Sequence, residues 1–547
     1  MTEKKNQPTR HYCSVELKGP HVRMFGPLRR LNDGTHMDFP RSYNAATDFV
    51  DRNIEEGRAG KAAFIDPDRT LTYGALLDAS CQMANLLTGL GLAREARVAM
   101  IMLDTVDFPI TFWGAIRAGI VPVPLNTLLN AGQYDYMLRD SRAEVLVISA
   151  ALLPDLEPLL PDTDSLNHVI VSGGDAGPHM AFQDAVAGQS TTYTPADTLA
   201  DEVAFWLYSS GSTGNPKGVQ HVHTSAMITA RNYARDVLAM NEDDVVYSAA
   251  KLFFAYGLGN AMTFTMAMGA TATLLPGRPT PQSVFEMLKT HQPTLFFGVP
   301  TLYAAMLADP GCTPENGSGR LRHCISAGEA LPEDVAGAWK AKFGVEILDG
   351  IGSTELLHIF LSNRPGDFRY GTTGKAVPGY ELKLLDDDGA ELGADEIGEL
   401  VVRGDTAANG YWNQRAKSRA TFEGAWTRTG DKYYRDADGF YHYCGRTDDM
   451  FKVSGIWVSP FEVESALVSH EAVLEAAVVA KEDDEGLLKP KAFVVLNQGH
   501  EGDGLYEPLK EHVKQEIGAW KYPRWIDFVD DLPKTATGKI QRFKLRD

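Results

Sequence analysis

Short apolar runs rich in β-branched residues alternate with longer amphipathic stretches along most of the chain. Residues 98–102, 143–148 and 168–172 predict buried strands, and 73–90 carries its apolar positions at helical spacing. That alternation predicts α/β units packed around largely parallel sheets. The pattern changes towards the end. Ser459-Pro460-Phe461-Glu462 predicts a capping box with proline at the first helical position, opening a helix towards Ser469. Strand-like runs follow at 475–480 and 492–496, and Tyr506, Leu509, Val513 and Ile517 mark one face of a further helix. The expected fold is therefore α/β: an N-terminal extension (1–40), a large N-terminal domain of packed α/β sheets (41–447) and a smaller α+β C-terminal domain (448–547). The junction falls in the polar stretch Arg446-Thr447-Asp448-Asp449, flanked by Gly445.

Composition narrows the class. A chain of 547 residues exceeds one ordinary core, which by itself calls for more than one domain. The net charge of −20 excludes the basic face that nucleic-acid binding needs. Anionic substrates stay open, because a local basic cluster decides them. Residues 1–10 are polar and lack the apolar core of a secretory signal, and no run approaches 18 uncharged apolar residues. Cys13, Cys81, Cys312, Cys324 and Cys444 are odd in number, widely spaced and without a C-x-x-C pair. Reduced thiols in a cytoplasm fit them better than a disulfide framework or a zinc site. A homodimer is compatible with the sequence.

The most informative stretch is Tyr208-Ser209-Ser210-Gly211-Ser212-Thr213-Gly214-Asn215-Pro216-Lys217-Gly218, which follows a strand-like run at 203–207. Two glycines and four hydroxyl residues ahead of a lysine suit a loop that wraps phosphate oxygens with amides and hydroxyls. It is not a Walker A loop, since Asn215-Pro216 separate Gly214 from Lys217. The competing reading is a plain Ser/Gly surface loop.

Residues 209–218 resemble the phosphate loop of the acyl-adenylate-forming superfamily, which holds acyl- and aryl-CoA ligases, adenylation domains and firefly-type luciferases. Further motifs follow in that family's order. They are Leu71-Thr72-Tyr73, Arg117-Ala118-Gly119, Gly352-Ser353-Thr354-Glu355, Trp426-Thr427-Arg428-Thr429-Gly430-Asp431, Gly445-Arg446-Thr447-Asp448-Asp449, and Pro533-Lys534-Thr535-Ala536-Thr537-Gly538-Lys539. The resemblance implies an ATP-dependent enzyme that activates a carboxylic acid as an acyl-adenylate and transfers it to a thiol. ATP, Mg2+ and coenzyme A are the implied cofactors.

It also implies roles. Ser209, Ser210, Gly211, Ser212, Thr213, Gly214 and Lys217 would take phosphates; Glu355 would hold Mg2+, an oxygen ligand for a hard cation, with Thr354 on the α-phosphate. Asp431, an acceptor-only carboxylate, would clamp ribose hydroxyls with Arg446 beside it. Gly328, Glu329, Ala330, Asp349, Gly350 and Ile351 would line the nucleotide. Lys539 would bridge two anions in the adenylation transition state. Asp448 would be the hinge on which the C-terminal domain turns, bringing Ser454 and Gly455 to the pantetheine arm. Ile351 departs from the family, where a tyrosine that stacks on adenine is common.

The acid is read from the stretch after the phosphate loop, Phe253-Phe254-Ala255-Tyr256-Gly257-Leu258-Gly259-Asn260, which has no acidic residue. A buried substrate ammonium would lack a partner there, which counts against α-amino acids. Ala255, Tyr256, Ile351, Gly352 and His358 would give a short, flat-walled pocket suited to an aromatic ring, and these stretches resemble the benzoate-CoA ligase branch most. The expectation is an acid-thiol ligase acting on benzoate or a substituted benzoate. The alternatives are an aryl-acid adenylation enzyme loading a carrier protein, and a ligase for a short or cyclic non-aromatic acid. The chain runs only eight residues past Lys539, too few for a fused carrier. A luciferase-like oxygenase and a catalytically silent scaffold are the remaining rivals, the latter opposed by Lys217, Glu355, Asp431 and Lys539 together.

Overall fold

The computed structural model describes residues 38–209, 215–453, 456–483, 487–518, 521–534 and 540–546. The chain divides into two compact units, Met1–Phe39 and Pro40–Asp547. The first unit, and with it the extension read at 1–40, lies almost wholly outside the described residues.

Two largely parallel sheets form the body of the second unit. One holds five parallel strands in the order Val121–Pro124, Arg97–Ile101, Val145–Ser149, His168–Ser172 and Met180–Ala181. The Val145–Ser149 strand is buried at every position, as a sheet covered on both faces requires. The other sheet has nine strands. Its parallel centre runs from Ile347–Gly352 through His323–Ala327, Leu295–Gly298, Val245–Ser248 and Thr271–Thr273 to Ala62–Ile65, and its edges are antiparallel.

Helices pack closely on these sheets. The Thr72 side chain accepts the Ala75 amide and starts the helix Tyr73–Gly89. This helix meets Asp107–Arg117 so tightly that a Cβ on Gly114 would lie 2.6 Å from Met83 Cγ. Arg117 closes the second helix almost fully buried, its two terminal nitrogens donating to Asp51 at 3.2 and 2.8 Å. A buried guanidinium needs such a partner, so the Arg117-Ala118-Gly119 motif is architectural.

Antiparallel strands complete the large domain. Val203–Ser209, Lys217–Val222 and Gly410–Tyr411 form one small sheet. Glu381–Leu385, Gly398–Arg403, Trp426–Arg435, Phe422–Glu423 and Tyr441–Arg446 form another. The smaller C-terminal domain is α+β, as expected. The strands Val473–Glu482, Leu488–Leu496 and Trp525–Phe528 share a core with the helices Pro460–Val468 and Tyr506–Ile517, centred on Val463, Leu467, Val478, Val494, Leu509 and Val513. Its hairpin strands outrun the predicted ones because charged residues such as Lys481, Glu482, Lys489 and Lys491 interrupt the apolar pattern at their paired ends.

One expectation is corrected. Ser459 caps its helix by accepting the Glu462 amide at 3.1 Å, but the Glu462 side chain does not complete the reciprocal half of the capping box. Its carboxylate turns to Lys521 instead, whose Nζ donates to both oxygens at 2.7 Å. A charge-assisted pair outcompetes a carboxylate–amide bond at the cap.

Candidate active site

The phosphate-loop residues begin where the Val203–Ser209 strand ends and close where Lys217–Val222 starts, with Ser209 and Lys217 paired across the two strands. The hairpin therefore holds the first and last side chains of the loop together. Ser210, Gly211, Ser212, Thr213 and Gly214 lie outside the described residues.

Glu355 is the meeting point. Ser209 Oγ donates to its Oε1 at 3.3 Å, and Lys217 Nζ stands 3.6 Å from the same oxygen. The third partner was missed in the sequence. Tyr411, paired with Val219 in the adjoining strand, donates its hydroxyl to Glu355 Oε1 at 2.8 Å. Lys217 Nζ lies 4.2 Å from the Tyr411 ring centre and donates to its oxygen at 3.2 Å. Burial, and then the Glu355 charge, hold the Tyr411 hydroxyl protonated far above the usual phenol range. Glu355 Oε2 has no partner among the described residues.

Thr354 is fixed from the same strand. His221 Nε2 contacts the Thr354 carbonyl at 2.8 Å, so that nitrogen carries the proton, and the ring stacks on Phe205 at 5.3 Å. Burial lowers the His221 pKa to about 4, which keeps the ring neutral. His221 was also missed. A lone histidine in a strand gives no signal until its partner across the fold is known.

Asp431 and Arg446 face each other across the Trp426–Arg435 and Tyr441–Arg446 strands, with Arg446 Nη1 donating to Asp431 Oδ1 at 2.9 Å. The carboxylate beside it drives the guanidinium pKa upward. Gly430, at φ +70°, makes the approach possible, since a Cβ there would lie 2.9 Å from Arg446 Nη2. Arg446 is also near enough to Tyr411 to act on its hydroxyl, which links this pair to Glu355.

Gly328, Glu329 and Ala330 follow the His323–Ala327 strand, Gly328 turning the chain at φ +98°. Asp349, Gly350 and Ile351 lie on the neighbouring Ile347–Gly352 strand. Burial pushes the Asp349 carboxyl well above the usual carboxylate range, and its Oδ1 has no hydrogen-bond partner among the described residues. Asp349 acts electrostatically on Tyr256 and on Tyr433, the latter also under the influence of Asp431.

Ala255 opens a short helix, Ala255–Leu258, that carries Tyr256. Tyr256 Oη donates to the Gly298 carbonyl at 3.2 Å, anchoring the ring to the nine-stranded sheet. His358 stands against it with ring centres 5.6 Å apart. Its Nε2 sits 3.2 Å from the Tyr256 carbonyl and 3.0 Å from Asn260 Oδ1, two acceptors that fix the proton there. Burial lowers the His358 pKa to about 3. Gly352 passes so close that a Cβ would lie 2.6 Å from the His358 carbonyl carbon. Tyr256, His358 and Gly352 are therefore packed together, with Ala255 and Ile351 next to them in the chain.

Asp448 follows the last large-domain strand, and its carbonyl accepts from Arg546 at 3.0 Å. Arg542 forks onto Glu464 at 2.9 and 2.6 Å and lies 3.7 Å from Asp449. Lys539, Ser454 and Gly455 lie outside the described residues. Among the described residues no cluster of three or more His, Cys, Asp or Glu could cage a metal. Glu355 Oε2, which accepts no hydrogen bond among the described residues, fits Mg2+ all the same, because that ion takes one or two carboxylates and completes its shell with substrate phosphates and water.

The structure thus brings Ser209, Lys217, Thr354 and Glu355 together and pairs Asp431 with Arg446, and comparison with known proteins gives the class of protein. Residues 50–412 match the AMP-binding enzyme family, and residues 462–539 match the AMP-binding enzyme C-terminal domain. The chain belongs to the AMP-binding enzyme family. It is 57% identical over 509 residues to a 4-hydroxybenzoate--CoA/benzoate--CoA ligase of Rhodopseudomonas palustris, covering 93% of this chain and 94% of that one. It is also 57% identical over 511 residues to a benzoate--CoA ligase of Thauera aromatica, covering 93% and 96%. The crystal structure of a benzoate CoA ligase from Burkholderia xenovorans LB400 superposes with a TM-score of 0.85 at 49% identity, over 92% of this chain and 100% of that one.

Proposed function

We propose that the protein is an AMP-forming aryl-CoA ligase that joins benzoate, or a close ring analogue, to coenzyme A at the expense of ATP. The observation that carries the choice of acid is the wall formed by Tyr256 and His358. The Tyr256 hydroxyl and His358 Nε2 are spent on protein partners, and the partly exposed Tyr256 ring, backed by buried His358, offers its surface to a substrate. No carboxylate in 253–260 would meet an ammonium.

In the first half-reaction an acid carboxylate oxygen bonds to the α-phosphorus of ATP and the bond to pyrophosphate breaks. Ser209, Lys217 and the loop between them bind the phosphates, Thr354 holds an α-phosphate oxygen, and Asp431 with Arg446 holds the ribose. Glu355 would hold Mg2+, which would supply neutralisation of phosphate charge. Lys539 stabilises the negative charge gathered between carboxylate and phosphate. In the second half-reaction the thiol sulfur of coenzyme A bonds to the acyl carbon, the thiol proton is lost and AMP leaves.

The domains divide at 447/448, and rotation about Asp448 withdraws Lys539 after the first step and presents Ser454 and Gly455 for the second. The clasp of Arg542 and Arg546 on Asp449 and Asp448 supports a discrete pivot there. Free, buried Cys81, Cys312, Cys324 and Cys444 support a cytoplasmic setting. Among the described residues no helix is long and apolar enough to cross a membrane.

The test is exchange of labelled pyrophosphate into ATP without coenzyme A. Exchange that depends on benzoate is expected; exchange indifferent to benzoate would remove the acid from the first step.

A further inference from the structure

The three-way contact at Tyr411 has a consequence for the metal side of the site, and it rests on the reading of Glu355 as the Mg2+ ligand. A phenol oxygen has one proton to give and two lone pairs to receive with. Among the described residues three polar groups surround Tyr411 Oη: Glu355 Oε1 at 2.8 Å, Lys217 Nζ at 3.2 Å and Thr421 Oγ1 at 3.3 Å. A carboxylate only accepts and an ammonium only donates. Lys217 donates into a lone pair, and the one phenol proton faces two acceptors, Glu355 Oε1 at 2.8 Å and Thr421 Oγ1 at 3.3 Å. The shorter bond, to an ionised carboxylate, takes the proton.

The ring is held as firmly as the oxygen. Tyr411 is buried, packs against Val219, Ala408 and Phe422, and pairs in the sheet with Val219, two residues beyond Lys217. Its amide donates to Ser418 Oγ at 3.0 Å. A rigid strand therefore sets where Glu355 Oε1 is held. Ser209 also bonds to Oε1, and Lys217 Nζ makes its nearest approach to the same oxygen. Among the described residues every hydrogen bond to this carboxylate falls on Oε1 and none on Oε2.

We infer that Tyr411 is a positioning residue for Mg2+: its hydroxyl pins Glu355 Oε1 and separates the carboxylate from the Lys217 ammonium, so that Oε2 is presented to the metal. Without the hydroxyl, the ion pair of Lys217 and Glu355, now held at 3.6 Å, shortens and competes with the metal for the carboxylate. Lys217 is drawn off the phosphates by the same movement. The role is one of orientation, exerted through Glu355 and Lys217.

Tyr411→Phe keeps the ring and removes the oxygen. The measurement is ATP binding by calorimetry, without any acid so that no turnover occurs, across a Mg2+ titration. Wild type, Tyr411→Phe and Glu355→Gln are compared. Tyr411→Phe is expected to need about tenfold more Mg2+ for half-maximal strengthening of ATP binding, the effect of losing one hydrogen bond to a charged group, ~1.4 kcal/mol. A merely structural tyrosine would lower the melting temperature and leave the Mg2+ midpoint in place. If Glu355→Gln shifts the midpoint and Tyr411→Phe does not, this inference is overturned and the metal-site reading survives. If neither shifts it, Glu355 is not the metal ligand and both fail. Should Tyr411→Phe not fold, Thr421→Val removes the acceptor that competes with Glu355 for the Tyr411 proton. A two- to threefold lower Mg2+ midpoint is then expected, and an unmoved or raised midpoint overturns the inference.

Discussion

Adding one methyl group at Gly259 tests whether His358 is a wall of the acid pocket or ordinary core. An ideal Cβ at Gly259 would lie 2.6 Å from His358 Nε2 and 3.2 Å from its Cγ, with Cδ2 closer still. Comfortable contact needs about 3.5 Å, so the ring must retreat by about 1 Å. It has nowhere to go without disturbing its neighbours, because Phe264 stands 4.4 Å away edge-on and Tyr256 and Tyr233 flank it at 5.6 and 5.7 Å. Overpacking costs ~1–3 kcal/mol. Stretching the bonds of Nε2 to Tyr256 and Asn260 adds ~0.5–1.5 kcal/mol each. Alanine recovers up to ~1 kcal/mol of helix propensity, which leaves a net cost of roughly 1–5 kcal/mol. A ring displaced into the acid pocket removes room for one methylene or more, a change of ~1–3 kcal/mol in recognition. Gly259→Ala should therefore raise the KM for benzoate roughly 10- to 200-fold and change the KM for ATP by less than about twofold. Steady-state release of pyrophosphate, with each substrate varied in turn, reads both. A variant of lowered melting temperature with an unchanged benzoate KM would refute the reasoning, because His358 would then be core alone.

Three further expectations rest on the same geometry. Lys539→Ala should abolish formation of aroyl-adenylate from ATP, yet still convert pre-made benzoyl-AMP and coenzyme A to thioester; equal loss of both half-reactions would contradict rotation about Asp448. His221 and His358 are held neutral with pKa values near 4 and 3, so below pH 6.5 the unfolded chain binds more protons than the folded one. Their stabilising contribution is complete above pH 6.5 and falls with pH, by ~2 kcal/mol for His221 at pH 5. His221→Gln should flatten the fall of melting temperature between pH 7 and 5, and an unaltered slope would contradict the assignment. Arg542→Ala leaves the buried Glu464 carboxylate without its fork. It should cost ~2–4 kcal/mol in the C-terminal domain, seen as an earlier denaturant transition; an unmoved transition would mean the clasp contributes nothing.

The body of the fold was legible because its elements are strongly patterned. The 168–172 strand and the 73–89 helix stand within a residue of their predicted limits, since an unbroken apolar run or a capped amphipathic one admits little else. The C-terminal hairpin was underestimated where lysines alternate on its exposed side. The Ser459 box failed by half because Lys521 is distant in sequence, and nothing local reveals that it will claim Glu462. The same reason explains the site. Glu355, Asp431 and Lys217 announced themselves as motif residues, but Tyr411 and His221 act only through partners 56 and 133 residues away. A tyrosine beside Trp412 at the end of a short strand reads as packing until Glu355 is seen beside its hydroxyl.

The central claim is tested most directly by mass spectrometry of the products from benzoate, ATP and Mg2+, with and without coenzyme A. The account predicts benzoyl-AMP and pyrophosphate without coenzyme A, and benzoyl-CoA with one AMP per thioester when it is present. ADP as the nucleotide product, or benzoyl-AMP that persists unconverted beside coenzyme A, would contradict it.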